Sequence, residues 1–562
     1  MNGAGHAILV LAYLGLLLGV VVLWPRARSP RRAALVTLGI VGALAAVHEA
    51  LFDTLSEDAF ITYRYALNIV QGHGPVFNVG RHVEGYSNFL WMIVIAVPHW
   101  VAGVSIVESA RGLGSILAVA TVGLTYAVAA RQAGNRQAGL IAAILTAAIG
   151  SFVAWGPSGL EVPLFSLLLV SALLVLSHRQ YLVAGLLLGL ATMTRLDAVV
   201  VVVVVGLWVL AWPGSEFRVR LRSFALLAVG VGVLVAPWTI WRVDYYGYLV
   251  PNAVAAKSGM PLARQLHLGL GYFNSFAISI LPVILLGAIA LAFFLPKIRQ
   301  TDPELLAFWA LLVGVVIVFT LYVILVGGDW MPAFRFFAPI VPVLVLAIVL
   351  AFSWGLGPDA KRVLASRATI AVVATAVALL LVVDFSDVRL IQDVRGHRVD
   401  VEQTADVGAW FHSTLPTGTT IATFPNGAIS YNAGTGMQMI DMWGLTDEHI
   451  ARHGKRIPDG APGHIAYDNV YIAARRPDLV FPDLQGLDKA PSCVMYRHFA
   501  GSYVAVSFQL RGRPLWADLL VRSDEAPGIV RRLSSVHRYV LYPCPPDPFS
   551  GGPPPPLPNE PA

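Results

Sequence analysis

The stretch FDTLSEDAFITYRYALNIVQGHGPVFNVGRHVEGYSNFLW, residues 52–91, lies between two apolar segments and is rich in polar and aromatic residues. The flanking segments, near residues 34–52 and 112–130, are long enough to cross a bilayer as helices, which takes about 20 residues. Loops as long as residues 52–91 are usually either functional or disordered, and the aromatic and glycine content here favours order. The stretch therefore predicts an ordered loop on one face of a membrane protein.

The composition of the whole chain also indicates a membrane protein. Of its 562 residues, 57% are hydrophobic and 13% are charged, and the mean hydropathy is +0.69. An ordinary soluble protein carries about 25% charged residues, and a disordered chain has few large apolar residues, so both classes are excluded. Apolar windows of about 20 residues predict a polytopic α-helical fold with about 12 spans. These windows lie near residues 7–24, 34–52, 112–130, 138–155, 161–177, 181–193, 198–212, 223–241, 272–295, 305–326, 337–354 and 368–384.

The placement of basic residues predicts the orientation, because short cytoplasmic loops collect Lys and Arg. If residues 89–107 form a juxtamembrane hairpin rather than a span, six short loops fall on one side and hold 15 of the 23 basic residues before position 385. These loops are residues 25–33, 131–137, 178–180, 213–222, 296–304 and 355–367. Residues 52–91 and both chain termini are then predicted to lie outside the cell.

Charge density divides the chain into two regions. Residues 1–384 hold 38 of the 72 charged side chains, and the remaining residues hold 34. We predict a transmembrane domain at 1–384, an extracytoplasmic α/β or β-rich domain at 385–545, and a disordered Pro-rich tail at 546–562. Cys493 and Cys544 lie in the more polar region, and an extracytoplasmic location would permit a disulfide between them. The net charge of +6 comes without a run of basic residues, so nucleic acid is not a predicted partner.

The adjacent acids Glu57 and Asp58 are the first candidate catalytic residues. They follow a predicted span and precede a helical pattern of apolar residues. One interpretation is structural, with Ser56 capping that helix and both acids favoured in its first turn. The other is that one carboxylate at the membrane surface acts as a general base or stabilises an oxocarbenium-like transition state. Glu84 is a third carboxylate of the same loop, and a position on the solvated rim is its alternative interpretation.

Further charged residues lie in other predicted outer segments, namely SGLEVPLF, TRLDA, PNAVAAKSG and GGDWMPAFRFF. Each charge taken alone is more often interfacial or part of an ion pair, but together they predict a polar cavity on the outer face. Arg64, Arg195, Lys257 and Arg335 are predicted to hold a phosphate, the arginines as bidentate donors and the lysine as a point charge. Candidates for sugar or acceptor binding are Glu84, Tyr86, Asn88, Glu161, Asp197, Asn252, Asp329, Trp330, Asp441 and Trp443.

Several common motifs are absent from the sequence. It has no Gly-rich phosphate loop, HExxH pair, nucleophile elbow or Rossmann fingerprint, so nucleotide, zinc-protease and serine-hydrolase chemistry lack support. A sugar donor used outside the cell would be lipid-linked, since most bacteria hold no nucleotide-sugar pool there. No cofactor and no dedicated metal site are predicted, and a divalent cation (Mg, Ca or Mn) bridging the donor phosphate stays open.

The run SEDAFITYRYALNIVQGHGPVFNVGRHVEGYSNFLW, with the four outer segments named above, resembles the GT-C type membrane glycosyltransferases that use polyprenyl-phosphate sugars. In particular, the chain resembles the terminal beta-(1->2)-arabinofuranosyltransferases of actinobacterial cell-wall assembly, which carry a stretch like DMWGLTDEHIARH at residues 441–453. The resemblance covers most of the chain.

This resemblance implies transfer of arabinofuranose from decaprenyl-phospho-arabinofuranose to the 2-hydroxyl of arabinan ends in arabinogalactan and lipoarabinomannan assembly. It places the catalytic acids at Glu57 and Asp58, where many relatives have two aspartates, and Asp58 is the favoured residue. It also implies a multi-pass cell-membrane protein with an extracytoplasmic active site, whose outer domain binds the arabinan acceptor. Trp410 and Trp443 offer stacking surfaces for that acceptor, and packing inside the domain core is the alternative for both.

Two rival functions stay open. A polyprenyl-phospho-mannose-dependent mannosyltransferase would share the fold. A lipid-linked sugar transporter or flippase belongs to a different class, and transporters usually place charges near the bilayer midplane and contain repeated halves. The charges here cluster on predicted outer loops, and the sequence shows no internal repeat. A scaffold without activity would leave the acidic loop unexplained.

Overall fold

The computed structural model describes residues 3–24, 31–212, 216–386, 388–483, 487–542, 544 and 554–560. It divides into two compact units. The helical unit comprises Met1–Thr54, Ala110–Ile240 and Leu262–Arg395, and the sheet unit comprises Leu55–Ser109, Trp241–Pro261 and Gly396–Ala562. The domain boundary predicted near residue 384 lies close to the end of the helical unit. The sequence did not predict that residues 55–109 and 241–261 belong to one unit with the C-terminal region.

Apolar helices form the helical unit. Seven described helices are long and apolar enough to cross a membrane, or eight if one bent pair is a single span. The chain is thus a mostly helical, multi-span protein, but the predicted count of about 12 spans is not confirmed, since five further apolar helices have only 10–17 residues. The α-helices of this unit, some of which extend beyond it, are Gly3–Leu23, Arg31–Phe52, Ile106–Gln132, Arg136–Ala148, Gly150–Val153, Val162–Leu176, Tyr181–Thr194, Ala198–Leu210, Phe217–Tyr246, Leu262–Ser279, Leu281–Phe294, Pro303–Leu325, Val341–Leu356, Ala360–Leu364, Arg367–Ser386 and Val388–Thr414.

One predicted span, residues 272–295, is in fact two helices. The first ends at Ser279 and the second begins at Leu281, with Pro282 in its first turn. Proline fits the first turn of a helix but not its interior, where it removes a backbone hydrogen bond. The break was missed because the predicted span contains no charged residue on either side of it.

A second predicted span, residues 138–155, bends by 70° between Arg136–Ala148 and Gly150–Ser158. Near the bend, the carbonyl oxygen of Ala147 lies 3.1 Å from Nδ1 of the buried His48. His48 therefore provides a hydrogen-bond partner at the point where the helix is interrupted.

Helices Tyr181–Thr194 and Phe217–Tyr246 approach each other closely through two glycines. A Cβ atom on Gly185 would lie 2.2 Å from the carbonyl oxygen of Leu227, and one on Gly230 would lie 2.4 Å from that of Leu182. Small residues allow this backbone contact between membrane helices.

The described residues of the sheet unit form eight strands. In chain order they are β1 (Thr420–Thr423), β2 (Gln438–Asp441), β3 (Lys455–Ala461), β4 (His464–Tyr467), β5 (Leu479–Phe481), β6 (Tyr503–Leu510), β7 (Trp516–Arg522) and β8 (Tyr539–Tyr542). Six form one mixed sheet in the order β2-β1-β5-β7-β6-β8, parallel from β2 to β5 and antiparallel beyond it, while β3 and β4 form a separate antiparallel pair. Central β5 is fully buried and edge strand β8 is largely exposed. The predicted α/β architecture is therefore present.

Helices Glu57–Val70, Phe89–Ala102, Asn252–Lys257, Ala428–Asn432, Glu448–His453, Asn469–Ala474 and Ala526–Leu533 complete the sheet unit. The loop predicted to be ordered is ordered: it carries the first of these helices, which packs on Ala428–Asn432. Trp410 lies in the domain core, where its ring stacks on Tyr539 at 4.0 Å and its Nε1 donates to the carbonyl oxygen of Leu533. The core alternative is therefore correct for Trp410.

Cys493 and Cys544 form a disulfide, with their Cα atoms 5.6 Å apart. Part of the Pro-rich tail that was predicted to be disordered is packed. Within residues 554–560, Leu557 is buried and Glu560 forms an ion pair of 2.6 Å with Arg497. Disorder is thus wrong for this part, and the remaining tail lies outside the described residues.

Gly230→Ala is expected to lower the melting temperature, because its Cβ would overlap a backbone oxygen and overpacking costs about 1–3 kcal/mol. Gly232→Ala is the matched control, since Gly232 lies on the same helix with nothing within 4 Å of its Cβ position. Thermal unfolding of the purified protein in detergent measures both. Equal melting temperatures for the two variants would contradict the close helix contact.

Candidate active site

Asp58 and Lys257 face each other in the sheet unit. Asp58 lies in the first turn of helix Glu57–Val70, and Lys257 ends helix Asn252–Lys257. Asp58 Oδ2 is 4.0 Å from Lys257 Nζ, and their side chains are 16% and 36% exposed. A carboxylate and an ammonium group, both reachable from solvent, therefore lie side by side at the start of the loop of residues 52–91, here called the first loop.

Glu57 is also partly buried, and its carboxyl group lies against backbone groups. Its Oε1 accepts hydrogen bonds from the N–H groups of Gly427 and Ala428, the latter at 3.0 Å. Burial, together with the nearby Asp58 carboxylate, raises the pKa of Glu57 to about 8. Glu57 thus fastens the first loop to the segment that follows β1, whereas the Asp58 carboxylate faces Lys257.

His397 is a site residue that the sequence analysis missed. The backbone N–H of Glu57 donates a long hydrogen bond of 3.5 Å to His397 Nε2. Burial lowers the pKa of His397, although the Asp58 carboxylate acts in the opposite sense. A single histidine 340 residues along the chain from Glu57 carries no local signal that would have revealed this contact.

Arg64 was predicted to bind the donor phosphate, and this prediction is wrong. Its side chain is fully buried and donates to the backbone carbonyl oxygens of Phe77 (2.8 Å), Ser430, Gly434 (2.9 Å) and Met437 (2.8 Å). Four of the five N–H donors of a guanidinium are used in this way. Arg64 holds the loop in place and is withdrawn from any ligand.

The segment VEGYSN is likewise packed inside the sheet unit. Glu84 is buried and forms an ion pair with Arg242 (Oε2 to Nη1, 3.2 Å), and burial raises the pKa of Glu84 to about 7 against the effect of that arginine. The hydroxyls of Tyr86 and Tyr246 are 3.0 Å apart, and Asn88 accepts a hydrogen bond from Thr62. The contacts of Glu84, Tyr86 and Asn88 thus do not support a role in acceptor binding. The alternative position of Glu84 on a solvated rim is wrong, since the residue is buried.

Asn252 and Asp441 are also buried structural residues. Asn252 Nδ2 donates to the carbonyl oxygens of Gly444 (2.9 Å) and Leu445 (3.0 Å). Asp441 accepts hydrogen bonds from the N–H groups of Trp443 (2.9 Å) and Thr446 (2.8 Å), and burial raises the pKa of Asp441 to about 6. The predicted acceptor role fails for Asn252 and Asp441. Trp443 is only partly buried, and its ring contacts His464.

Arg195 lies in the helical unit and is already engaged by two carboxylates. Its Nη1 is 2.8 Å from Glu161 Oε1, and its Nη2 is 2.6 Å from Asp197 Oδ2. All three side chains are at most 10% exposed. Glu161 and Asp197, which were predicted to bind sugar, instead neutralise this arginine.

Arg335 forms a second such pair, with its Nε 2.8 Å from Asp329 Oδ2. The ring of Phe336 lies against both guanidinium groups, 5.2 Å from Arg335 and 5.3 Å from Arg195. Both guanidinium groups are therefore already paired with carboxylates. The predicted phosphate-binding role of Arg195 and Arg335 is not supported by this geometry. Trp330, next to Asp329, is partly buried.

Around Asp58, the described residues do not form a group of three side chains that could hold a metal ion together. The neighbours of Asp58 include a lysine and a histidine, and the Glu57 carboxyl group already accepts hydrogen bonds from two backbone N–H groups. Elsewhere in the sheet unit, Asp483, Asp488 and Asp518 place carboxylate oxygens within 4.8 Å of one another. Those three acids have the chemistry to hold a cation, but they are not among the predicted site residues. No catalytic step is assigned to a metal ion.

Comparison of structures establishes the fold. The crystal structure of ArnT from Cupriavidus metallidurans bound to undecaprenyl phosphate matches 87% of this chain and 98% of that chain, with a TM-score of 0.57 and 13% sequence identity. The chain has the GT-C fold that the sequence predicted, with a C-terminal sheet domain. A family described as a domain of unknown function (DUF8728) matches residues 392–526.

Two relatives share the name terminal beta-(1->2)-arabinofuranosyltransferase. The protein from Mycobacterium tuberculosis is 26% identical over 367 residues, which are 55% of this chain and 53% of the relative. The protein from Corynebacterium glutamicum is 29% identical over 341 residues, which are 53% of this chain and 48% of the relative. The chain thus spans about half the length of the curated relatives it matches. The predicted resemblance to this family is confirmed.

Glu57→Gln is expected to make stability less dependent on pH. Glutamine keeps an oxygen acceptor for the two N–H groups but cannot ionise. Since the pKa of Glu57 is raised from 4.5 to about 8 in the folded protein, its folded state holds the proton more tightly, and stability falls as pH rises between these values.

Melting curves of the wild type and the variant from about pH 4 to pH 8.5 test this expectation. The wild type should lose stability relative to the variant as pH rises, and the two melting temperatures should be closest at the lowest pH. A difference that does not change with pH would show that Glu57 is not the titrating group.

Proposed function

We propose that this protein is a membrane glycosyltransferase that transfers arabinofuranose from decaprenyl-phospho-arabinofuranose to the 2-hydroxyl of arabinan ends. The named relatives support the sugar, and the fold shared with ArnT, solved with bound undecaprenyl phosphate, supports a lipid-linked donor. The observation that carries the proposal is the solvent-reachable Asp58 carboxylate beside the Lys257 ammonium. In a transfer from an anionic lipid to a hydroxyl, a base can activate the hydroxyl and a cation can stabilise the leaving phosphate.

In the proposed reaction, Asp58 accepts the proton of the acceptor hydroxyl. The hydroxyl oxygen bonds to the anomeric carbon of arabinofuranose while the bond from that carbon to the donor phosphate breaks. The electron pair leaves with polyprenyl phosphate, which needs no proton because the pKa of a phosphate ester is low. Lys257, 4.0 Å from Asp58, supplies positive charge beside the leaving phosphate. Trp443, which is partly buried, remains a proposed stacking residue for the acceptor sugar.

The proposed location is the cell membrane, with the sheet unit and active site on the extracytoplasmic side. The concentration of basic residues in six short loops supports this orientation. The disulfide between Cys493 and Cys544 also supports it, because disulfides persist in oxidising compartments. The acceptor would then be a cell-wall polysaccharide and the donor a lipid of the same membrane.

Asp58→Asn is expected to reduce transfer by about 100- to 10,000-fold, the usual contribution of a general base, while leaving the melting temperature nearly unchanged. The measurement is transfer of labelled arabinose to a short arabinan acceptor by the purified protein. The neighbouring Glu57→Gln is the matched comparison and is expected to retain transfer, since the Glu57 carboxyl group is already occupied by hydrogen bonds from two backbone N–H groups. Normal transfer by Asp58→Asn would contradict the assigned mechanism.

The same assay decides the sugar when polyprenyl-phospho-arabinose and polyprenyl-phospho-mannose are supplied separately. Transfer from the arabinose donor alone is expected. Transfer from the mannose donor alone would replace arabinose by mannose in the proposal, and transfer from neither would favour a transporter.

Lys257→Ala is expected to raise the KM for the lipid donor by about tenfold, since a lost charge-assisted contact of about 1.4 kcal/mol corresponds to that factor. Lys489→Ala is the control, because Lys489 is an exposed lysine of the same unit. Donor titration at saturating acceptor measures the effect. Superimposable donor curves for the wild type and Lys257→Ala would remove Lys257 from the donor site.

A further inference from the structure

A cavity of about 450 Å³ lies within the sheet unit, apart from the side chains assigned to catalysis. Its walls come from the first loop, from the segment after β2 and from helix Asn469–Ala474. The residues that matter for its chemistry are Arg81, Asp447, Glu448, His449, His453 and Tyr471. Ligand sites in proteins are commonly of this size, with an aromatic surface and a few polar groups.

The two carboxylates of the cavity are held in place by other groups. Asp447 accepts hydrogen bonds from the N–H of Ile450 (3.2 Å) and the hydroxyl of Tyr471 (3.3 Å), and its Oδ2 forms an ion pair of 3.7 Å with Arg475 Nη1. Glu448 accepts a hydrogen bond of 2.6 Å from the hydroxyl of Tyr248. Each carboxylate can accept about four hydrogen bonds, so both keep acceptor capacity toward the cavity.

Donor groups lie beside these acceptors. Arg81 is exposed, and it is among the groups that oppose the rise in the pKa of Asp447 that burial causes. His453 is also exposed, and its ring is 5.6 Å from that of His449. His449 in turn stacks on Tyr471 at 4.0 Å, which gives the cavity a rigid aromatic wall.

This mixture of groups discriminates between ligand classes. A phosphodiester only accepts hydrogen bonds, so it could not donate to the Asp447 and Glu448 carboxylates. A sugar hydroxyl both donates and accepts, so it can use the carboxylates and the Arg81 guanidinium together. The flat faces of aromatic rings suit the apolar faces of sugar rings. The wall chemistry therefore favours an uncharged, polyhydroxylated ligand.

We propose that this cavity binds an uncharged glycan chain, namely acceptor residues that lie some distance from the reacting end. This inference rests on the proposed function for the identity of the chain. Asn252 connects the two sites, because its Nδ2 donates to the carbonyl oxygens of Gly444 and Leu445 while its helix ends at Lys257. A chain held in the cavity is thus held by the same rigid segment that positions Lys257.

The test uses the double variant Arg81→Ala/His453→Ala, whose side chains are exposed, with Arg513→Ala as an exposed control that does not line the cavity. The KM for a long arabinan acceptor is expected to rise about tenfold in the double variant, with kcat unchanged. The KM for a single-residue acceptor is expected to stay the same. The control should match the wild type with both acceptors.

Calorimetric titration of an arabinan oligosaccharide into Asp58→Asn protein, with and without the double substitution, separates binding from transfer. Weaker binding caused by the double substitution supports glycan binding in the cavity even if the protein turns over no donor. A failure of this inference can therefore be distinguished from a failure of the proposed function. Equal binding with and without the substitutions would overturn the inference. Displacement of the oligosaccharide by millimolar inorganic phosphate would also overturn it, in favour of an anion site.

Discussion

The buried guanidinium of Arg64 is the interaction on which the geometry of the sheet unit depends. Leaving such a cation buried without partners would cost several kcal/mol. Four backbone carbonyl oxygens from Phe77, Ser430, Gly434 and Met437 surround it, and hydrogen bonds to charged groups contribute about 1.5–3 kcal/mol each. Some of these carbonyls belong to the first loop and the others to the C-terminal region. Movement of either segment would therefore remove hydrogen-bond acceptors from the buried guanidinium of Arg64.

Glu57 makes a second connection of the same kind at the beginning of the Arg64 helix. Its carboxylate accepts the N–H groups of Gly427 and Ala428, so helix Glu57–Val70 is fixed at its first residue and again two turns later. Asp58 therefore projects from a helix that cannot rotate. Lys257 is fixed independently, through Asn252 and the carbonyls of residues 444 and 445. A pair held in place before the substrate arrives avoids reorganisation during the reaction.

The sequence predicted what depends on local composition and missed what depends on distant partners. Long apolar windows revealed the helices, since hydrophobicity alone brings such segments together, but the break at Ile280 left no trace in hydropathy. The acids of the first loop stood out because charge is rare beside a span. The carbonyl oxygens that bind Arg64 lie up to 373 residues away along the chain. The sequence around an arginine does not show whether its guanidinium binds a phosphate or backbone carbonyl oxygens. Only Arg195 and Asp197, two residues apart, offered a local hint of pairing.

The order of the two acids decides which one can act. Side chains of neighbouring residues on a helix point about 100° apart. Glu57 and Asp58 therefore project in different directions from this helix. The longer glutamate occupies the packed side, where burial raises its pKa to about 8. An acid that keeps its proton near neutral pH cannot remove one from a hydroxyl. Within the proposed reaction, the base must then be the shorter, partly exposed Asp58, and the glutamate contributes by holding the helix that presents it.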